Sequence, residues 1–353
     1  MKITRYEIDM LSLGAADSII IHFYDDLTSY EYVVLIDGGN YSDGPTVARH
    51  IKKYTTQGFV DLAIVTHPDK DHFGGIQYLL EKQRDNHSDS VGIREIWVDD
   101  PGNHITVDDV KYYRSPSNVR EEARSVFDCE GDNLINILNE LGNGIVWKEP
   151  FYRFASVPYD KNEVYYAFDG AIRVLGPTKS YYESLVPRFR HDMKPFSYTD
   201  DGNDNPIMYS FSSRSVTNKT IDSAYDDPSS HNQSSVIVMF SPSNGKNYLF
   251  MGDAGREAFD NLDRIPKIMT MNAFFLKVPH HGSKHNIDSH MINWINPKVS
   301  YISTEKCGKY LSIAVSNTLK KKGSLVYTTM DNWNQLFRVN MPPRDGYIRA
   351  ESL

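Results

Sequence analysis

Val60-Asp61-Leu62-Ala63-Ile64-Val65-Thr66-His67-Pro68-Asp69-Lys70-Asp71-His72-Phe73-Gly74-Gly75 is the stretch around which the chain has to be organised. Residues 60–65 are nearly all apolar and of strand length, the pattern of a strand buried on both faces. The strand runs directly into Thr66-His67, and residues 73–82 read as a helix behind Gly74-Gly75. His67, Asp69, Asp71 and His72 put four potential metal ligands into the connecting loop. A metal site needs several lone pairs converging on one point. A tight turn at the rigid end of a strand can aim imidazoles and carboxylates inward, while paired glycines let the backbone approach closely. The same residues are also compatible with a surface loop whose Asp and His side chains cap the helix.

Toward the N-terminus, residues 6–11, 18–23 and 32–36 read as three strands of a meander ending in the turn Asp37-Gly38-Gly39-Asn40. Residues 46–54 have helical spacing through Val47, Ile51 and Tyr54. Strands, helix, strand, loop and helix in this order predict a layered α/β domain rather than an all-β barrel. Beyond the motif, residues 93–98 form another expected strand, and 116–141 read as two helices broken near Gly131. Residues 145–148, 165–168 and 171–175 are further strand candidates.

From about 187 to 230 the composition turns to Ser, Asp, Asn, Tyr and Lys without periodicity. A polar loop or insertion is expected there, either a lid over a site or a plain surface insertion. The whole of 1–353 otherwise reads as a single domain. Two apolar segments then end in chemistry-bearing turns: 235–240 and 248–251 lead to Gly252-Asp253-Ala254-Gly255, and 274–278 leads to Pro279-His280-His281-Gly282-Ser283. A helix at 288–295, a strand at 299–303, a helix at 312–322 and a final strand pair at 324–328 and 336–339 complete the pattern. Three strand ends carrying carboxylates or histidines predict a site along one sheet edge.

Bulk properties restrict the function class. The net charge of −8 argues against broad non-specific attraction to nucleic acid, without excluding a nucleic-acid substrate. Cys129 and Cys307 are too few for a disulfide framework and are expected as reduced thiols. Lys2-Ile3-Thr4-Arg5-Tyr6-Glu7-Ile8-Asp9 interrupts any apolar run before a secretory leader forms, and the longest apolar stretches, 33–36 and 236–240, are of core-strand length. A cytoplasmic protein with no membrane span is therefore expected.

With these residues in view, the chain resembles metallo-β-lactamase-fold hydrolases, and is most similar to the soluble-type hydrolase domain of bacterial competence proteins for DNA uptake. The resemblance runs through Leu35-Ile36-Asp37-Gly38-Gly39, residues 66–75, Asn232-Gln233-Ser234-Ser235-Val236-Ile237-Val238, residues 249–255, 276–283 and the closing 299–339 segment. It implies an αββα sandwich, two mixed sheets flanked by helices, with one or two divalent metal ions at the edge where the sheets meet. It also implies hydrolysis, most often of phosphodiesters, with nucleic acid or a nucleotide as candidate substrate. Carried over by position, His67 and Asp69 would bind one metal, and Asp71, His72 and one of His280 and His281 the other. Asp253 would bridge them. Asn232 falls where other members have a metal-binding histidine, with His231 beside it.

The usual motif is His-x-His-x-Asp-His, and Asp69 stands at its second histidine. Carboxylate in place of imidazole hardens the site and favours Mn²⁺, Mg²⁺ or Fe²⁺ relative to Zn²⁺, so Zn or Mn are the leading cofactors and Fe or Mg the alternatives. The expected chemistry is metal-activated hydroxide, with Asp71 also orienting the water. Lys284 and His285 either contact an anionic substrate or protonate a leaving group, or are exposed solubility residues, and Lys70 is open to the same two readings. Gly308-Lys309-Tyr310-Leu311-Ser312 replaces the Gly-His-Pro stretch of the competence-type pattern, so substrate specificity does not transfer. The membrane domains of those proteins have no counterpart here either, and DNA uptake is not implied. Two further readings stay open: a thioester, lactone or amide hydrolase on the same fold, and a metal-poor, non-catalytic binding module.

Overall fold

The computed structural model describes residues 1–88, 90–106, 109, 117–153, 160–192, 221–263, 271–305, 310–330, 334–342 and 344. Strands β1 (Arg5–Met10), β2 (Ile19–Tyr24) and β3 (Glu31–Ile36) open the chain as the expected meander. Helix α1 (Gly44–Tyr54) leads to β4 (Phe59–Ile64), α2 (Lys70–Arg84) and β5 (Gly92–Trp97). Next come α3 (Val119–Arg124), the short pair β6 (Asp128–Cys129) and β7 (Asp132–Asn133), α4 (Leu134–Leu141), β8 (Val146–Pro150) and β9 (Glu163–Val164). The second half runs β10 (Tyr166–Ala167), β11 (Ile172–Gly176), α5 (Lys179–Asp192), α6 (Ser230–Gln233), β12 (Ile237–Phe240), β13 (Tyr248–Phe250) and α7 (Arg256–Asp263). It ends with β14 (Phe275–Lys277), α8 (Ser289–Ile295), β15 (Val299–Ile302), α9 (Ile313–Lys321), β16 (Leu325–Thr328) and β17 (Gln335–Val339).

Among the described residues the strands make an eight-stranded sheet in the order β17-β1-β2-β3-β4-β5-β8-β9, a seven-stranded sheet β10-β11-β12-β13-β14-β15-β16, and the β6–β7 pair. Both large sheets are mixed: antiparallel at β1–β3 and β10–β13, parallel from β3 through β9 and from β13 through β16. The period of two along each strand sorts the core. Ile8, Ile21, Phe23, Val34 and Leu62 of the first sheet pack with Val174, Val238, Phe250 and Phe275 of the second. The alternate residues Ile20, Leu35 and Ala63 face Val47, Ile51, Phe73 and Ile76 of α1 and α2, and Leu249 and Leu276 belong to the same core as Leu262, Ile292 and Leu319 of α7 to α9. Two sheets thus meet face to face, with helices on their outer sides. No helix among the described residues is long and apolar enough to cross a membrane.

Three expectations shift. The helix after the motif starts at Lys70, so Asp71 and His72 sit in its first turn, and Gly74 and Gly75 lie inside it. Glycine inside a helix is unfavourable by roughly 1 kcal/mol, yet here it allows a close crossing. A Cβ on Gly75 would lie 1.9 Å from the Gly38 carbonyl oxygen, and one on Gly74 would lie 2.4 Å from the Tyr41 nitrogen. The turn after β3 is thereby locked to α2, with Gly38 N–H donating to His72 O at 2.6 Å and Gly75 N–H to Gly39 O at 2.9 Å. Gly75→Ala should therefore lower stability by about 3 kcal/mol through overpacking, read as a lower urea midpoint with unchanged slope.

The closing strands are not a pair. β16 lies parallel to β15 at the edge of the second sheet, whereas β17 crosses to the first and runs antiparallel to β1, Val339 opposite Tyr6. Local sequence pattern cannot distinguish a hairpin from two strands with distant partners. The polar segment expected over about 187–230 also begins later than its composition suggests, because α5 continues to Asp192 despite Pro187. Residues 193–220 of that segment, and Pro116, Cys307, Gly308 and Lys309, lie outside the described residues.

Candidate metal centre

β4, β13, β14 and β15 end at a common edge of the two sheets, which are tied there by Val236 N–H donating to Thr66 O at 2.8 Å. Each strand end delivers a side chain: His67 after β4, Asp253 after β13, His280 and His281 after β14, and Ser303 after β15. The first turn of α2 adds Asp71 and His72. Two donor groups result. Ligand atoms of His67, His72 and Asp253 lie within 4.8 Å of one another, as do those of Asp71, His72 and His281. Asp253 Oδ2 is 3.4 Å from His72 Nε2 and 3.9 Å from His281 Nε2, while Asp71 Oδ2 is 3.5 Å from His281 Nε2.

The imidazoles are aimed by their second nitrogens. His67 Nδ1 meets Thr66 Oγ1 at 3.0 Å, His72 Nδ1 meets Asp37 Oδ2 at 2.8 Å, and His281 Nδ1 meets Ser303 Oγ at 3.0 Å. The Nε2 atoms of the same three residues are buried and make no hydrogen bond. A buried polar atom left without a partner costs about 1–3 kcal/mol, so three such nitrogens around one space are stabilised only by something that fills it. Imidazoles fixed through Nδ1 and presenting Nε2 beside carboxylates are the donor set a divalent cation requires.

The electrostatics agree. Burial alone would push the Asp253 carboxyl up, but His72, His280, Lys277 and His281 hold it well below the usual carboxylate range. His72 is the converse case: burial opposes its charged form, and Asp253, Asp37 and Asp71 raise it well above the ordinary histidine value. Burial would raise the Asp69 carboxyl too, but the hydrogen bond with His231 and the neighbouring His67 imidazole hold it below the usual carboxylate range. Carboxylates packed this closely favour the charged form of His72. A bound cation satisfies the same field.

His280 and His281 separate by direction. Both have left-handed backbone angles, φ 45° and 54°, a conformation that costs non-glycine residues of order 1 kcal/mol or more each. The twist turns His281 toward Asp71 and His280 toward a polar network. His280 Nδ1 lies 2.9 Å from Asn286 Oδ1 and 3.3 Å from Asp227 Oδ2, and its Nε2 is 3.8 Å from Asp253 Oδ2. Burial lowers the His280 pKa, but Asp253 and Asp227 outweigh it and lift it to about 9. We expect His281→Ala to lose metal and His280→Ala to retain it with weaker binding, measured as metal per chain after dialysis; equal loss would remove this distinction.

The other sequence candidates occupy different places. Asp69 is outside both donor groups, 3.5 Å from His67 Nε2, and His231 Nδ1 meets its Oδ1 at 2.9 Å. Asn232 donates through Nδ2 to Asp227 Oδ2 at 2.6 Å, and its buried Oδ1 has no hydrogen-bond partner. Lys284 and His285 are not among the converging donors. His285 Nδ1 meets the Tyr225 carbonyl at 2.9 Å with its ring 4.1 Å from the Tyr225 ring, and the Lys284 carbonyl accepts from Arg256. Both therefore stand beside the segment at 221–227.

Sequence reading assigned no role to Asp17, Asp37, Asp227, Asn286, Lys277 or Ser303, all buried behind the donors. A lysine inside the apolar run Phe274-Phe275-Leu276-Lys277-Val278 was the available signal. No protein-family model matches the chain, and no curated protein matches it.

Proposed function

We propose that this chain is a metal-dependent hydrolase of the metallo-β-lactamase type, acting on phosphodiesters. The observation that carries the reading is the convergence of three buried, unsatisfied Nε2 atoms on Asp253 and Asp71 at the shared sheet edge. His67, His72, Asp71, His281 and Asp253 would hold one or two divalent ions. When bound, such ions acidify water to hydroxide near neutral pH and polarise a phosphoryl oxygen.

Charge is compatible with one or two ions. Asp17, Asp37, Asp71 and Asp253 bring four carboxylates, and among the described residues Lys277 is the buried ammonium against them. Three negative charges remain, more than one divalent cation neutralises, and Asp69 is paired separately with His231. Asp227 is paired separately with His280. With Asp69 outside both donor groups, three imidazoles and two carboxylates remain, a set that suits Zn²⁺ or Fe²⁺ as well as Mn²⁺. Asp71, whose side chain is 33% exposed, is the carboxylate placed to orient an incoming water, since the other donors in its group are buried.

The test is turnover of bis-p-nitrophenyl phosphate by protein stripped with chelator and reloaded with Mn²⁺ or Zn²⁺. Metal-dependent release of nitrophenol supports the reading. Metal-dependent cleavage of a thioester, lactone or amide panel instead would keep the centre and change the substrate class. Failure to retain either ion would remove the hydrolase reading and leave a binding module.

A further inference from the structure

β14 carries a charge where its neighbours are apolar. Lys277 is 0% exposed, and its ammonium forms an ion pair with Asp17, donates to the Gly252 carbonyl at 2.9 Å and lies 3.5 Å from Asp253 Oδ1. Asp17, between β1 and β2, also accepts a hydrogen bond from Ser303 Oγ. Ser303 in turn holds His281, its Oγ 3.0 Å and its backbone oxygen 3.2 Å from Nδ1. One buried cation therefore reaches Asp253 directly and His281 through two intermediates.

The consequence for Asp253 is rotational. Its Oδ1 is held from one side by Lys277 and from another by the His280 N–H at 3.1 Å. Oδ2 is then the oxygen turned to the imidazoles, 3.4 Å from His72 Nε2. The ammonium also answers an inner trap for cations, because Asp17, Asp37 and His72 have ligand atoms within 4.8 Å of one another. Burial disfavours the charged lysine, and Asp17, Asp253 and Asp37 more than offset that. An apolar side chain would fill the slot without the desolvation penalty but would leave Asp17 uncompensated and Asp253 free to turn.

We propose that Lys277 is a positioning residue for the metal centre: it fixes Asp253 with Oδ2 toward the imidazoles and, through Asp17 and Ser303, keeps His281 in register with it. This rests on the metal-centre reading given above. Side chains behind metal ligands typically contribute 10–100-fold to metal affinity by orienting them.

The experiment uses the full chain as parent, Lys277→Met, and the double variant Lys277→Met/Asp17→Asn. The double variant removes the buried carboxylate that the single one strands, so it remains informative where Lys277→Met does not fold. Each metal-free protein is titrated with Mn²⁺ against a chelating dye, and its melting temperature is recorded with and without Mn²⁺. The expected result is binding weakened by about 10- to 100-fold, together with a smaller rise in melting temperature on adding Mn²⁺. A purely structural lysine lowers the metal-free melting temperature and leaves both metal readouts alone. A folded double variant whose Mn²⁺ affinity stays within about threefold of the parent overturns the proposal, since that is below the smallest orienting effect. A parent that binds neither Mn²⁺ nor Zn²⁺ overturns the metal-centre reading itself, and the parent titration tells that failure apart from a failure of the lysine's role.

Discussion

Asp253→Ala is expected to lower phosphodiester turnover by on the order of 10³-fold or more and to strip the protein of metal, with the fold retained. The carboxylate stands between the two donor groups, with Oδ2 3.4 Å from His72 Nε2 and 3.9 Å from His281 Nε2. Losing it removes an oxygen that faces both His72 and His281. In the metal-free protein the substitution leaves Lys277 its ion pair with Asp17 and its bond to Gly252 O, so the buried ammonium is not stranded. Circular dichroism should be unchanged, and the stabilisation given by added metal should vanish. Turnover equal to the parent's would exclude Asp253 from the centre.

Asp17→Ala should show a large loss of stability. Asp17 and Lys277 are both fully buried and ion-paired, and the lysine's other carboxylate neighbour is 3.5 Å away. Removing one partner of a buried pair strands the other charge, which costs about 3–5 kcal/mol. Ser303 also loses the acceptor that helps fix its hydroxyl under His281. A urea midpoint lowered accordingly, and partly restored in Asp17→Asn/Lys277→Met, is the expected outcome; a loss below about 1 kcal/mol would show that the pair contributes no more than a surface bridge.

Much of this was legible in the chain. The buried strand β4 and the helix α2 follow from a run of apolar residues and the periodicity behind it, and His67, Asp71 and His72 were conspicuous because they are neighbours in sequence. Asp253 and His281 were visible because each follows an apolar strand at a glycine turn. What was hidden is of two kinds. β17 pairs with β1 across the length of the chain, and no local pattern records a partner more than 300 residues away. The residues that hold the ligands arrive singly from separate elements: Asp17 before β2, Asp37 after β3, Ser303 after β15. Among the residues behind the ligands Lys277 broke a local rule, a charge in a core strand, and such violations mark places where structure or function overrides the pattern. His281 over His280 was likewise undecidable, because two left-handed residues in succession set the directions of their rings.

The most direct measurement is the number and position of metal ions in crystals of protein supplied with Mn²⁺ and Zn²⁺, located by anomalous scattering. The expected density lies among His67, His72, Asp71, His281 and Asp253, at the edge where the two sheets meet. Ions bound elsewhere, or none at all with the three Nε2 atoms still unengaged, would contradict the proposed centre.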